Sequence, residues 1–253
     1  MVAMITAVVL THNNETTLKR TLTSIRWCDE LLVIDDFSTD KTVAIAKQYK
    51  ANVIPRHVGA DFAAQRNFGL KKARGDWVFF VDSDEVVSGG LKNEILEAVD
   101  NPNVVGYYLS RVDYLYGRRL LHGETGSVRL LRLAKRDAGQ WQQPVHEVWG
   151  VDGPKGSLRE PILHYPHPNV AQFLTDINWY STVYATYLFS QKKKEPQWFI
   201  VIYPVAKFII NYVVKLGFLD GMPGMIVAMM MSFHSFLVRA KLRMLWQTRG
   251  DST

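Results

Sequence analysis

Four apolar runs, each closing on polar or acidic residues, constrain this chain more than anything else in it. Residues 5–11 form a continuous apolar run and read as a buried strand. Leu18, Leu22 and Ile25 then recur at helical spacing, with Asn13 as the candidate cap. Residues 30–36 are a second buried strand that ends in two acids. Ser38, Thr39 and Asp40 offer caps to a helix with Val43, Ala46 and Tyr49 on its apolar face. Residues 52–56 give a short third strand, and residues 62–73 a helix that carries Arg66 and Asn67 and is stopped by Gly75. Residues 76–81 are the fourth strand and run into Asp82-Ser83-Asp84-Glu85. Leu91, Ile95 and Val99 mark a further helix. This alternation predicts an α/β fold, with a mostly parallel sheet and helices on both faces. Ligands of such sheets bind beyond the carboxyl ends of the strands. Thr11-His12-Asn13, Asp35-Asp36 and Asp82-Ser83-Asp84 all collect there.

Past residue 104 the pattern changes. Tyr107, Leu109 and Val112, then residues 128–133, predict strands of a mixed or antiparallel extension. Residues 141–149 and 150–168 are rich in Gly, Pro, Trp and His and read as loops over a site. Phe173, Ile177, Tyr180, Tyr184 and Tyr187 predict one amphipathic helix.

Charge divides the chain in two. The whole sequence of 253 residues carries a net +6, all of it from residues 190–253, where nine Lys and Arg face three acids. Residues 1–189 hold 21 basic and 21 acidic residues. In the tail the basic residues flank apolar runs, 198–219 and 222–238, and Lys207 and Lys215 interrupt the first. Lys192, Lys193 and Lys194 precede the first run, and Arg239, Lys241 and Arg243 follow the second. Apolar density of this kind, beside a neutral body, points to a membrane surface and away from nucleic acid. The second run has about 17 residues, the low edge for a spanning helix. An interfacial or re-entrant helical hairpin is expected, turning at Gly221, Pro223 and Gly224. A buried helix pair is the competing reading. The single cysteine, Cys28, excludes an internal disulfide and fits a reducing compartment.

Several chemistries are absent from the sequence. No Gly-x-Gly-x-x-Gly follows the first strand, and there is no Gly-x-x-x-x-Gly-Lys-Ser/Thr loop or Gly-x-Ser-x-Gly elbow. His146-Glu147 is not a zincin helix, because position 150 is Gly rather than His. Asp82 and Asp84, on alternate residues of a turn after a buried strand, can reach one hard cation such as Mg²⁺ or Mn²⁺. Such an ion bridges a diphosphate and neutralises a leaving group.

Taken together, the motifs resemble a known family. They are residues 8–13, the run 32–42 from Leu32 to Thr42, Gln65-Arg66-Asn67-x-Gly69, and Gly75-Asp76-Trp77-Val78-x-x-Val81-Asp82-Ser83-Asp84-Glu85. In order and spacing over residues 3–100 they are similar to family-2 glycosyltransferases of the GT-A fold. Pro144-Val145-His146-Glu147 and Ile162-Leu163-His164-Tyr165 resemble the branch that contains lipopolysaccharide-core β-glucosyltransferases. The resemblance extends over residues 1–190, a nucleotide-sugar half (1–103) and an acceptor-side half (104–190), and leaves 191–253 as a basic, apolar helical tail.

The resemblance implies roles at matching positions. Thr11 lies where the first strand ends at the nucleotide base, and Asp36 matches the acid that bonds the base edge. Arg66 lies in the helix whose basic residue approaches the nucleotide or its phosphates. Asp84 matches the metal-coordinating acid, with Asp82 contacting ribose or metal beside it. His164 or His167 would add a metal ligand or phosphate contact; a loop histidine packed on Tyr165 or Trp149 fits equally. Glu147 is the expected general base, with Asp152, Glu124 and Asp113 as rivals and a structural salt bridge to Arg129 or Arg132 as the bland alternative. Arg129 and Arg132 are candidate phosphate contacts or plain strand residues. Trp141 and Trp149 either stack on sugar or pack in the core. The implied reaction is an inverting transfer from a nucleotide-sugar, a UDP-hexose foremost, to a lipid-linked or glycan acceptor at the cytoplasmic face of the inner membrane, with the chain peripheral or monotopic. A polyisoprenyl-phosphate sugar synthase is the nearest alternative, and a non-catalytic membrane adaptor on the same fold is another.

Overall fold

The computed structural model describes residues 3–249 and divides into two compact units. The first comprises residues up to Arg111 together with Arg129–His164. The second comprises Val112–Val128 and the chain from Tyr165 onward.

The first unit follows the predicted alternation closely. Its opening elements are β1 (Ile5–Thr11), α1 (Leu18–Ile25), β2 (Glu30–Asp35), α2 (Thr42–Gln48), β3 (Asn52–Pro55), α3 (Phe62–Lys72) and β4 (Trp77–Asp82). Then come β5 (Glu85–Val86), α4 (Gly89–Ala98), β6 (Gly106–Leu115, its last four residues in the second unit) and β7 (Arg118–Arg119, in the second unit). β8 (Arg129–Lys135), β9 (Gly139–Gln142), β10 (Val148–Val151), β11 (Lys155–Ser157) and β12 (Ile162–His164) complete it.

The sheet runs β3-β2-β1-β4-β8-β6-β12-β5. β3, β2, β1 and β4 are parallel, and β8 enters antiparallel to β4. β1 is buried on both faces, as its unbroken apolar run requires of a central parallel strand. Strand alternation sends Ile5, Ala7 and Val9 to the core packed by Leu18, Leu22, Leu91 and Ile95. Val8, with Leu32, Ile34, Val78 and Phe80, faces the opposite core, where Ala63 and Leu70 of α3 pack.

Two local readings are corrected. Asn13 does not cap α1, which starts at Leu18; it sits at φ +53° and accepts the Thr39 amide at 2.8 Å, tying the loop after β1 to the loop after β2. The stretch read as loops from residue 141 contains the antiparallel hairpin of β9 and β10, with Trp141 opposite Trp149. Its indoles stack at 5.2 Å and both meet Phe80 edge-on, so apolar burial orders a segment whose Gly and Pro content signals irregularity.

The second unit is largely helical, with α5 (Val170–Ser190), α6 (Phe199–Ile209) and α7 (Gly221–Arg249). The boundary expected at residue 190 falls at the end of α5, inside this unit, because Ala185 and Leu188 pack on Val238 and Leu242 of α7. The buried stripe of α5 is Phe173, Ile177, Ser181, Ala185 and Leu188 rather than its tyrosines. Small residues at 181 and 185 let α7 lie close. The hairpin between α6 and α7 turns at Leu216, in left-handed backbone, and at the 3₁₀ turn Gly217–Asp220. Gly221 ends that turn, whereas Pro223 and Gly224 lie inside the first turn of α7. Asp220 accepts the amides of Leu121 and His122 and so holds the 112–128 segment in this unit.

Every exposed residue from Val201 to Val214 is apolar, as are the exposed residues of α7 from Met222 to Phe236. Helices of a water-soluble core show the opposite pattern. Gly217–Thr248 is long and apolar enough to cross a membrane by length and composition.

Backbone packs closely at Gly75, where a Cβ would lie 2.7 Å from both the Met4 carbonyl and the Thr6 amide. Backbone cannot yield there. Gly75→Ala is expected to lower stability by roughly 1–3 kcal/mol in urea unfolding. Gly89→Ala, where nothing lies within 4 Å, is expected to change it by less than about 0.5 kcal/mol.

Candidate functional site

The carboxyl ends of β1, β2 and β4 share one edge of the first unit, as their parallel register dictates. At the β1–β2 end, Thr11 is buried and donates to Asp35 at 3.0 Å. Asp35 also accepts from Ser38 and is a structural acid. Thr11 therefore holds the strand end together. Asp36 is the outward acid. Its Oδ1 accepts the Val58 amide at 3.2 Å and lies 2.9 Å from His57 Nδ1. Beside it Phe37, half exposed and at φ +51°, rests against the His57 ring at 4.3 Å. A bulky residue in left-handed backbone costs about 1–3 kcal/mol and persists where its surroundings impose it. Sequence reasoning missed Phe37 and His57; the aromatic after the Asp35-Asp36 pair was the signal available.

The β4 end is organised by Arg66. α3 places it there, and the residues around it explain the Gln65-Arg66-Asn67 run. Gln65 accepts from the Arg56 guanidinium at 2.6 Å and donates to the Arg56 carbonyl at 2.8 Å, fixing the end of β3. Asn67 exchanges two 2.8 Å bonds with the Trp141 backbone, fixing the β9–β10 hairpin. Between them, Arg66 Nη2 donates to Asp82 Oδ1 at 2.8 Å and its Nε donates to Glu147 Oε1 at 2.7 Å. Its side chain is 5% exposed. Burial would lower the pKa of this guanidinium, but Asp82 and Glu147 outweigh that and raise it.

Asp82 has a second partner. Arg132 of β8 donates to both of its oxygens, closest at 2.5 Å to Oδ2. Burial acts to raise the Asp82 carboxyl, and the charges of Arg132 and Arg66 override it, holding it far below the usual range. Asp82, expected to contact ribose or metal, lies between two buried arginines as their counter-ion, and Arg66, expected near the nucleotide or its phosphates, bridges two acids. Arg132 is drawn into the site, while Arg129 is exposed and donates to Ser157. Trp149 is 3% exposed in the core and so is not a surface platform for sugar.

Asp84 turns the other way. Its Oδ2 lies 3.3 Å from His164 Nε2. β12 pairs with β5, with His164 opposite Glu85, which brings that imidazole to the acid turn. Burial pushes the Asp84 carboxyl up, but His164 outweighs it and the net shift is downward, with Arg111 adding to it. Glu85 behaves oppositely. It is fully buried, its Oε2 accepts the Asp82 amide at 2.9 Å, and its Oε1 has no hydrogen-bond partner. Burial first and the Asp82 charge second raise its pKa, favouring the protonated acid.

A divalent ion fits one part of this cluster. Right-angle ligands on bonds of 2.0–2.1 Å stand about 3 Å apart, close to the Asp84–His164 separation. Among the described residues no group of three or more His, Cys, Asp or Glu side chains can hold an ion by itself. The chain thus offers two donors, and a diphosphate and water would have to complete the sphere. His167 is not part of it; it stacks on Phe173 and lies 2.8 Å from Asp176 in the second unit. Of the rival bases, Asp152 is exposed, and Asp113 and Glu124 lie in the second unit, where Glu124 pairs with Lys207. Glu147 alone joins the cluster.

The profile of glycosyl transferase family 2 matches residues 6–152. The lipopolysaccharide core biosynthesis glycosyltransferase LpsC of Rhizobium meliloti is 27% identical over 94% of this chain and 91% of its own length. An uncharacterized glycosyltransferase of Rickettsia felis is also 27% identical, over 94% and 89%. Among solved structures, S. aureus TarS (residues 1–349) aligns with TM-score 0.51 and 15% identity, covering 99% of this chain and 92% of that one. The Mycobacterium tuberculosis glucosyl-3-phosphoglycerate synthase in complex with Mn²⁺, UDP and phosphoglyceric acid aligns with TM-score 0.50 and 18% identity, covering 77% and 80%.

Because two buried arginines depend on Asp82, Asp82→Asn is expected to cost about 3–5 kcal/mol in urea unfolding at neutral pH. The stabilisation by Asp82 is fully present above the ordinary aspartate value of about 3.9 and is lost as pH falls toward its depressed value. The difference between wild type and Asp82→Asn should therefore shrink in acid. Glu85 has the reverse sign. Its contribution is full below about 4.3 and is lost as pH rises through the raised value, so Glu85→Gln should gain on wild type as pH rises.

Proposed function

The chain belongs to glycosyl transferase family 2 and has the GT-A fold, and on that premise we propose an inverting transfer of a hexose from a nucleotide-diphosphate sugar, a UDP-hexose foremost, to a hydroxyl of a membrane glycolipid or cell-surface glycan precursor. The observation that carries this reading is the convergence of Glu147, Asp82, Arg66, Arg132, Asp84 and His164 at the end of β4. Arg66, Arg132 and Arg111 face Asp82, Asp84 and Glu147, while Glu85 favours its proton. The cluster is near neutral, so a diphosphate enters it at lowest cost with a divalent cation. Asp84 and His164 would hold Mg²⁺ or Mn²⁺, which supplies charge neutralisation on the leaving diphosphate. The Mn²⁺ and UDP carried by the mycobacterial synthase support that choice.

The remaining roles fall to this chain's own groups. The base lies beside Asp36 and Phe37. Glu147 takes the proton of the acceptor hydroxyl as its oxygen attacks the anomeric carbon and the bond to the nucleoside diphosphate breaks. The brace from Arg66 fixes where that carboxylate stands. The name of the Rhizobium relative supports a lipopolysaccharide-type acceptor. Such an acceptor, with the apolar faces of α6 and α7 and the basic residues near their ends, supports a place on the cytoplasmic face of the plasma membrane.

Thermal unfolding in detergent tests the donor site. UDP, GDP, dTDP and CDP are each added with Mn²⁺, with Mg²⁺ or with EDTA. A nucleotide at 100 times its Kd adds about 2.7 kcal/mol, roughly 5–10 °C for a chain of this size. A metal-dependent shift with UDP, absent in Asp84→Ala, is the expected result; no shift with any nucleotide contradicts the proposal. Glu147→Gln is expected to lower kcat about 10²–10⁴-fold. A mild effect would favour a phosphate acceptor, which needs no base, and so a polyisoprenyl-phosphate sugar product.

A further inference from the structure

The second unit contains a cleft that the transfer reaction does not use. It has a volume of about 410 Å³, within the range of small-molecule sites, and is walled by Lys194, Glu195, Ile200, Arg239, Arg243 and Trp246. It is a built feature. Trp246 packs on Phe189 at 4.7 Å and its indole N–H donates to the Lys193 carbonyl at 2.9 Å. Arg239 lies over the Tyr203 ring and donates to Ser235 Oγ at 2.9 Å.

Its charge is unbalanced. Among the described residues Glu195 is the one acid on its walls and is already shared, 3.4 Å from Arg239 and 3.6 Å from Lys193. Lys194 lies over the Trp246 ring at 4.6 Å, and neither it nor Arg243 has an acidic partner among the described residues. Of the three cations that line the cleft, two thus have no acidic partner, and among the described residues its one carboxylate is spent.

The apolar surroundings identify what would fill it. The floor at Ile200 continues into Val201, Ile202 and Val205 of α6, all more than half exposed, and Trp198 beside them is 57% exposed. A soluble anion needs the cations and has no use for the apolar face. A membrane lipid needs both: phosphate at the basic end, acyl chains along the helix.

We propose that this cleft binds the phosphate-bearing headgroup of an anionic membrane lipid, while the exposed faces of α6 and α7 lie in the acyl layer. The proposal rests on the membrane reading given above and adds a defined headgroup site to it. Lys194 and Arg243 supply the charge, and Trp246 and Arg239 shape the walls.

Vesicle flotation of the full chain tests it, with phosphatidylcholine vesicles with and without phosphatidylglycerol. Wild type should float with both and prefer the anionic ones. Lys194→Ala/Arg243→Ala should lose roughly tenfold or more of that preference while still floating with neutral vesicles. Lys19→Ala/Lys47→Ala removes the same charge from the exposed surface of the first unit and should keep the wild-type preference. Circular dichroism checks that each variant is folded. An unchanged preference in the cleft variant, or an equal loss in the Lys19/Lys47 variant, overturns the cleft and leaves membrane binding intact. Inorganic phosphate bound in the cleft without any preference for anionic vesicles overturns the lipid assignment. A wild type that floats with neither vesicle overturns the membrane reading itself.

Discussion

A guanidinium keeps its charge even at 5% exposure, so burying one is costly unless counter-charges stand against it, and Arg66 has two. One comes from the end of β4 and one from the β9–β10 hairpin, elements far apart in the chain. Their meeting fixes where Asp82 and Glu147 stand. Because Asp82 is engaged by Arg66 and Arg132, Asp84, next to His164, is the acid of the turn left as the candidate cation ligand. One buried charge therefore sorts three neighbouring carboxylates into different roles: counter-ion, candidate base and candidate metal ligand.

Much of this was legible in the sequence because it depends on local pattern. Apolar runs such as 5–11 and 77–81, short and set between helical patterns, read as buried strands, and their order puts the acids at one edge. What escaped is what depends on partners remote in sequence. Arg66 meets Asp82 and Glu147 across 16 and 81 residues, and no local spacing records that. The β9–β10 hairpin was hidden by its Gly and Pro content, and Trp149 could not be assigned to the core until Trp141 and Phe80 were seen against it. The 112–128 segment joins the helical unit through Asp220, an acid with no sequence motif around it.

The two units are built for different surroundings. The first hides its apolar residues behind polar loops and concentrates charge at the strand ends. The second exposes Val, Ile, Met and Phe along α6 and α7 and keeps its cations near the helix ends. The proposed transfer from a soluble donor to a lipid-borne acceptor would use both kinds of surface in one chain. The charge divides in the same sense but at a different place, net zero in residues 1–189 and +6 in residues 190–253, whereas the second unit begins earlier in the chain.

The central claim is that Arg66 couples the candidate base to the acid turn. A double-mutant cycle on Arg66→Met and Glu147→Gln, read as unfolding free energy, tests it most directly. The account predicts strong non-additivity, with a coupling of roughly 1–3 kcal/mol, because each single change strands a partner that the double change removes. Additive effects within about 0.3–0.5 kcal/mol would contradict it, since two groups that do not sense each other cannot share a buried charge.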